Sequence, residues 1–180
     1  MKYILSILFF VLFLMENVFG EIQIKLDKLF VELKNNNDIS LEIEQEIWKL
    51  WSTHPKDKNL TKLLAKGSEH VNNHKFEEAI KTFTRVIDLD PNWAEAWNKR
   101  ATVLYLVGEF QKSQNDIDKV LELESRHFGA LAGQGLVNIQ LKNYEKAIVS
   151  YKKALEIYPS MKSPETMIKK IKELIKKDSI

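Results

Sequence analysis

A fixed spacing of 34 residues runs through the middle of the chain and decides most of what it can fold into. Phe76, Phe110 and Tyr144 stand 34 apart, and Pro91 and Pro159 stand 68 apart. Gly67 and Gly135 are also 68 apart, with the small Ala101 midway between them. A sustained period of this size marks a stack of similar supersecondary units, each burying its apolar face against its neighbours. Three copies fill residues 60–93, 94–127 and 128–161.

Each copy reads as two amphipathic helices. In the third, Leu131, Gly135 and Asn138 lie on the first helix, and Tyr144, Ala147, Tyr151, Ala154 and Leu155 on the second. Spacings of three and four place each set on one helical face. Lys142 and Asn143 supply the turn, and Pro159 ends the second helix because it lacks an amide donor. The first copy repeats this with Leu63, Gly67, Phe76, Ala79, Phe83 and Pro91, and the second with Trp97, Ala101, Phe110, Ile117 and Val120. The second departs at Ser113, where the others carry Ala79 and Ala147, and at Ser125, where the others carry proline.

These residues resemble the tetratricopeptide repeat (TPR), a helix–turn–helix unit of 34 residues with small, aromatic and proline positions at set offsets. The resemblance implies an all-α fold, a right-handed α-solenoid of TPR hairpins closed by a C-terminal capping helix. The expected organisation is a signal peptide over 1–20, a degenerate helical hairpin over 21–58, three repeats within 59–162 and the capping helix over 163–180. In the degenerate hairpin, Ile22, Leu26, Leu29, Phe30 and Leu33 form one stripe, and Ile43, Ile47, Leu50 and Trp51 another, with Asp38 or Ser40 as the cap between them. In the last helix, Ser163-Pro164-Glu165 reads as a start signal, and Met167, Ile168, Ile171, Leu174 and Ile175 as the core-facing stripe.

Residues 1–20 carry Lys2, an apolar run from Tyr3 to Met15, and small or medium residues at Val18 and Gly20. This is the pattern of a secretory leader cut before Glu21. It implies an exported protein, periplasmic or secreted, with no stable membrane insertion after cleavage; an uncleaved N-terminal anchor is the alternative. The absence of cysteine excludes disulfides and thiol chemistry. Charge is uneven, with ten lysines against five acids from Leu141 onward. Arginine occurs only at positions 85, 100 and 126 against 24 lysines, which points to a compositional bias, and no nucleic-acid partner is expected.

No constellation for catalysis stands out. His70 and His74 have metal-ligand spacing, but His74 falls in a turn, and Asp116 and Asp118 are two apart and point apart on a helix. No nucleophile or phosphate loop appears. The expectation is a chain that is not an enzyme, without cofactor or metal. What the resemblance implies instead is a protein–protein interaction module, a scaffold holding a peptide in the concave groove lined by the first helix of each repeat. The residues it places there include Leu64, Ser68, Val71, Asn98, Thr102, Tyr105, Leu106, Leu136 and Ile139, with Glu95 at an equivalent offset. The family version that clamps a C-terminal carboxylate needs Lys, Asn and Arg where this chain has Leu64, Ser68, Lys99, Gly129 and Gly133, so that ligand is not expected. Alternatives are head-to-tail self-assembly, an anionic surface docked on the lysine face of the last helix, or a groove filled by the chain's own N-terminal hairpin. Finally, Arg100 stands at an offset usually apolar, and is expected to tie the first repeat to the second through Asp88, Asp90 or Asp116.

Overall fold

The computed structural model describes residues 20–35 and 37–178. The described residues form helices and connections without a strand: α1 (20–35), α2 (Ser40–Trp51), α3 (Lys58–Asn72), α4 (Phe76–Leu89), α5 (Ala94–Leu106), α6 (Phe110–Leu123), α7 (Phe128–Gln140), α8 (Tyr144–Ile157) and α9 (Lys162–Asp178). The chain divides into two units, Met1–Thr61 and Lys62–Ile180.

In the first unit, Leu26, Leu29, Phe30 and Leu33 of α1 are buried, as are Ile43, Ile47 and Trp51 of α2. The Trp51 ring lies 5.9 Å from Phe30 and edge-on to Trp48 at 5.3 Å. The expected cap at Asp38 or Ser40 does not form. Ile39 occupies the N-cap of α2, and the Ser40 hydroxyl turns back to donate to the Asn37 carbonyl at 3.0 Å. The joint before α3 is more ordered than its polar composition suggests. Buried His54 accepts from the amides of Lys56 and Asp57 at Nδ1 (3.2 and 2.8 Å), and its own amide donates to Thr61 Oγ1. Asp57 caps α3 by accepting from the Asn59 amide at 2.7 Å.

The second unit is an all-α solenoid of paired helices followed by a distinct terminal helix. From α4 to α9 each helix packs on the next, and α5 also meets α7. Small and large residues are matched inside each pair at a separation of 16. A Cβ on Gly135 would lie 2.6 Å from the Tyr151 ring, and one on Gly67 would collide with Phe83. In the middle pair the aromatic ring is replaced by Ile117, and alanine is tolerated at position 101. Ser113 keeps the tight contact expected of alanine and adds a bond, its buried hydroxyl donating to the Ala101 carbonyl at 2.8 Å.

The turns inside the pairs share one geometry. His74, Gly108 and Lys142, each 34 apart, have φ of 56°, 81° and 58°. In each, the next residue's amide reaches back to close the helix end: Lys75 to His70, Glu109 to Leu104, Asn143 to Asn138. Only Gly108 takes the left-handed conformation without a Cβ penalty. His74→Gly and Lys142→Gly are each expected to raise the unfolding free energy by about 0.5–1 kcal/mol, while Gly108→Ala lowers it by a similar amount. His74 gains least, because its ring lies against Phe76 at 5.9 Å. Denaturant midpoints of the three variants check this, and equal midpoints would show that the turn stores no strain.

A polar clamp joins successive repeats, and it occurs twice. Arg100 forks onto Asp116 with two bonds of 2.8 Å and sends its third nitrogen to Thr84 Oγ1 at 3.0 Å. Its guanidinium carbon sits 5.0 Å over the Trp97 ring. Of the three acids considered from sequence, Asp116 is the partner, and Thr84 on α4 provides the link to the preceding repeat. Moving each position on by 34 gives Gln134, Ser150 and Asp118, where Ser150 donates to Gln134 Oε1 at 2.8 Å and Gln134 donates to Asp118 at 3.3 Å. The arrangement recurs with the Arg–Asp ion pair replaced by a neutral Gln–Ser pair and the hydroxyl of Thr84 replaced by the carboxylate of Asp118.

The joint lacking proline keeps the side-chain bond found at the joint that has it. Glu124 accepts from the Arg126 amide at 3.0 Å, as Asp90 does from the Asn92 amide at 2.9 Å, and α6 still ends at Leu123. At the C-terminus α9 begins at Lys162, so Ser163 stands inside the first turn rather than capping it. Met167, Ile168, Ile171 and Ile175 pack on Ala147 and Tyr151. Leu174, expected in that stripe, remains 41% exposed.

Candidate functional site

The first helices of the second and third repeats, α5 and α7, lie side by side, and a cleft of about 70 Å³ opens between them. Asn98, Thr102 and Tyr105 line one wall and Gly133, Leu136 and Val137 the other. The Tyr105 hydroxyl accepts from Gln140 at 3.4 Å and its ring lies 5.6 Å from Phe110. Thr102 donates its hydroxyl to the Asn98 carbonyl at 2.9 Å, which leaves its methyl for the cleft.

A buried carboxylate organises one end. Glu95, in the first turn of α5, is 1% exposed. Its Oε2 accepts from Asn98 Nδ2 at 3.0 Å and meets His127 Nε2 at 3.1 Å. Lys99 Nζ lies 3.1 Å from Oε1 as an ion pair, at an angle too poor for a hydrogen bond. Burial pushes the Glu95 carboxyl up, but the hydrogen bond from His127 and the charge of Lys99 outweigh it and hold it below the ordinary value of 4.5. The hydrogen bonds also fix the His127 tautomer. Its Nδ1 accepts from the Ala130 amide at 3.1 Å, capping α7, so the proton sits on Nε2 and is given to Glu95. Further along, burial pushes the Tyr151 phenol up to about 12, with Tyr105 adding to it.

The residues singled out from sequence divide into two groups. Asn98, Thr102, Tyr105 and Leu136 come together in the cleft. Leu106 lies near its end at 53% exposure, and Ser68 and Val71 are half-buried on α3. Two have other work: Leu64 is buried at 2% exposure, and Ile139 packs on the cluster of Ala147, Tyr151 and Ile171. Glu95 was expected to face a bound segment and instead is buried among its own partners. The missed contributor is His127. The available signal was its place immediately before the third repeat, where a capping side chain belongs. Of the other candidates, Asp116 and Asp118 do point apart, the first buried on Arg100 and the second exposed and accepting from Gln114 at 2.7 Å. Among the described residues no group of three or more His, Cys, Asp or Glu could hold a metal ion.

Comparison with known proteins places these features in a family. Two tetratricopeptide-repeat models match, over residues 64–112 and 129–161. A TPR repeat-containing protein of Rhizobium etli is 29% identical over 151 residues, covering 83% of this chain and 74% of that protein. Several eukaryotic relatives are much longer, and the chain spans 20% or less of each. The Sgt2 TPR domain of Aspergillus fumigatus is similar in structure with a TM-score of 0.65 at 18% identity, covering 68% of this chain and 83% of that one. The first TPR of Spaghetti (RPAP3), solved with the HSP90 peptide SRMEEVD, has a TM-score of 0.63 at 23% identity, covering 64% and 92%.

The expectation of export is overturned by these comparisons. The similar structures come from cytoplasmic proteins, not from periplasmic or secreted ones. Residues 1–19 of the supposed signal peptide lie outside the described residues, and the supposed cut between Gly20 and Glu21 falls in the first turn of the continuous helix α1. No described helix is long and apolar enough to cross a membrane. The periplasmic location and the exported subtype are therefore withdrawn. The 34-residue period, the paired helices with their recurring left-handed turn, and the two family matches make this chain a tetratricopeptide-repeat protein.

Proposed function

We propose that the chain is a non-catalytic interaction module that holds a peptide segment of a partner protein in the groove between α5 and α7. The observation that carries this is the cleft, which gathers an apolar wall, a tyrosine and a polar amide from two neighbouring first helices. An open apolar surface of this kind in a small protein is the usual mark of a binding site. A solved relative of similar fold was crystallised or otherwise determined with a peptide of HSP90. In this reading the repeats are residues 60–93, 94–127 and 128–161, residues 21–58 are a degenerate hairpin and 163–180 the cap. Asn98, Thr102, Tyr105 and Leu136 form the centre of the groove, and Ser68, Val71 and Leu106 extend it.

The test is site-specific photocrosslinking in the source cell. A crosslinking side chain at Leu136 should capture a partner in good yield, one at Lys172 on α9 should not, and Thr102→Glu should abolish the Leu136 adduct. An equal yield at both positions, or a Leu136 adduct indifferent to Thr102→Glu, would sink the groove assignment.

A further inference from the structure

At the Glu95 end of the groove the polar group that lines the cleft is arranged to receive a hydrogen bond rather than to give one. Glu95, ionised, can only accept, so the group that faces it on Asn98 has to be the NH2. That orients Asn98 Oδ1 the other way, and Asn98 both lines the cleft and is 8% exposed. Among the described residues Oδ1 has no hydrogen-bond partner, and Asn98 Nδ2 is committed to Glu95. The nearby ammonium of Lys99 is already paired with Glu95. His127 Nε2–H is likewise directed at Glu95, and neither His127 nor Lys99 lines the cleft, so Asn98 Oδ1 is the polar atom this end offers to a ligand.

The opposite wall is made open by a glycine that the fold does not require. A Cβ built on Gly133 would meet only Ile117 Cδ1, at 3.7 Å, which is ordinary contact. This contrasts with Gly135, where tyrosine occupies the space. Alanine would favour the helix at position 133, so the missing side chain leaves room in the cleft at a cost in helix propensity. Beside that room stand the aliphatic side chains of Leu136 and Val137 and the small Ala101.

Resting on the groove reading above, we infer that the α5–α7 cleft takes an internal, uncharged peptide segment, seating one aliphatic side chain over Gly133 and giving a backbone N–H to Asn98 Oδ1, and that it selects against a carboxylate. A bound carboxylate would face a carbonyl oxygen and a buried carboxylate behind it. A backbone N–H in the same place completes the chain from the ligand through Asn98 to Glu95. Extended segments offer such a donor at every second residue on the bound face, with side chains alternating toward the cleft.

The full chain should be probed on two arrays of the same random dodecapeptides, one acetylated and amidated, the other with free C-terminal acids. The expected result is enrichment of Leu, Ile, Val or Met at one internal position on the amidated array, with acidic residues depleted around it. Gly133→Phe, filling the cleft, should remove that enrichment at least tenfold, while Gly133→Ala keeps the fold and most of the binding. Circular dichroism melting verifies that both variants remain folded. If the free-acid array gives the stronger signal, or acidic residues are enriched, the acceptor-lined reading is overturned and the groove reading survives. If an aliphatic preference persists unchanged in folded Gly133→Phe, the binding lies elsewhere and the inference and the groove reading both fail.

Discussion

Replacing Arg100 with leucine is expected to lower the unfolding free energy by about 3–5 kcal/mol, a large part of the stability of a domain this size. The Asp116 side chain is only 7% exposed, and both of its oxygens receive hydrogen bonds from Arg100. With the guanidinium gone, the carboxylate is left desolvated without a counter-charge, and that penalty is what the variant measures. Alanine should cost more than leucine, since it also removes the stem packed by Trp97. Lysine should cost about 1–2 kcal/mol, because an ammonium cannot hold both oxygens of Asp116 and Thr84 in one plane. The decisive variant copies the neutral clamp one repeat later: Arg100→Gln with Asp116→Ser reproduces the Gln134–Ser150 pair. It should recover most of the loss, since well-packed neutral replacements of a buried pair are often near neutral. Urea midpoints at constant m-value give all four comparisons with the parent. A leucine variant within about 0.5 kcal/mol of the parent, or a copied clamp as weak as the single change, would refute this account; surface changes fall in that range.

Removing the Glu95 carboxylate is expected to have an effect of similar size, and one that depends on pH. Glu95→Leu strips the acceptor from Asn98 Nδ2 and His127 Nε2 and removes the ion pair to Lys99, for a loss of about 3–5 kcal/mol near neutrality. Glu95→Gln preserves shape and one acceptor and should cost less. The sign of the pH dependence follows from the folded-state carboxyl lying below its ordinary value of 4.5. The charged form is favoured by folding, so its contribution is complete above that value and is lost as pH falls through the folded-state value. The stability gap between the parent and Glu95→Gln should therefore be constant from neutrality down to about pH 6 and narrow with further acidification. A gap that widens on acidification would mean that burial, rather than His127 and Lys99, dominates the carboxyl.

Much of this was legible in the sequence, because a repeated period reports packing several times over. The matching of Gly67 with Phe83, Ala101 with Ile117 and Gly135 with Tyr151 follows from positions that recur at 34. Arg100 was legible as an exception to that period, and its surroundings reduced the choice of partner to three acids. Glu95 was not legible, for a definite physical reason. Its offset specifies which side of α5 it occupies, but its burial depends on His127, which approaches from the joint before α7. Ile139 misled in the same way: its offset points to the groove, but the terminal helix α9 covers the cluster it joins. Leu174 failed in the opposite sense, since a stripe of five apolar residues is wider than the contact α8 offers. Periodicity describes what a repeat does to its like, and the errors fall where unlike elements meet. The N-terminal leader was read from one local pattern, Lys2, the apolar run and Val18 with Gly20, without any such internal check.

The segment from Ala94 to His127 contains both members of its buried polar pairs, the ion pairs of Arg100 with Asp116 and Lys99 with Glu95 and the hydrogen bond from His127 to Glu95. It is thus an electrically closed cassette. Deleting these 34 residues would set Thr84 against Gln134 and Ser150, all uncharged; duplicating them would set the second Arg100 against Asp118, an acid, where Thr84 stood. Neither event strands a charge in the interior. A gene encoding this chain could therefore lengthen or shorten the stack by recombination in whole steps, whereas a cut placed between Glu95 and His127 would separate an acid from the donor that makes its burial tolerable.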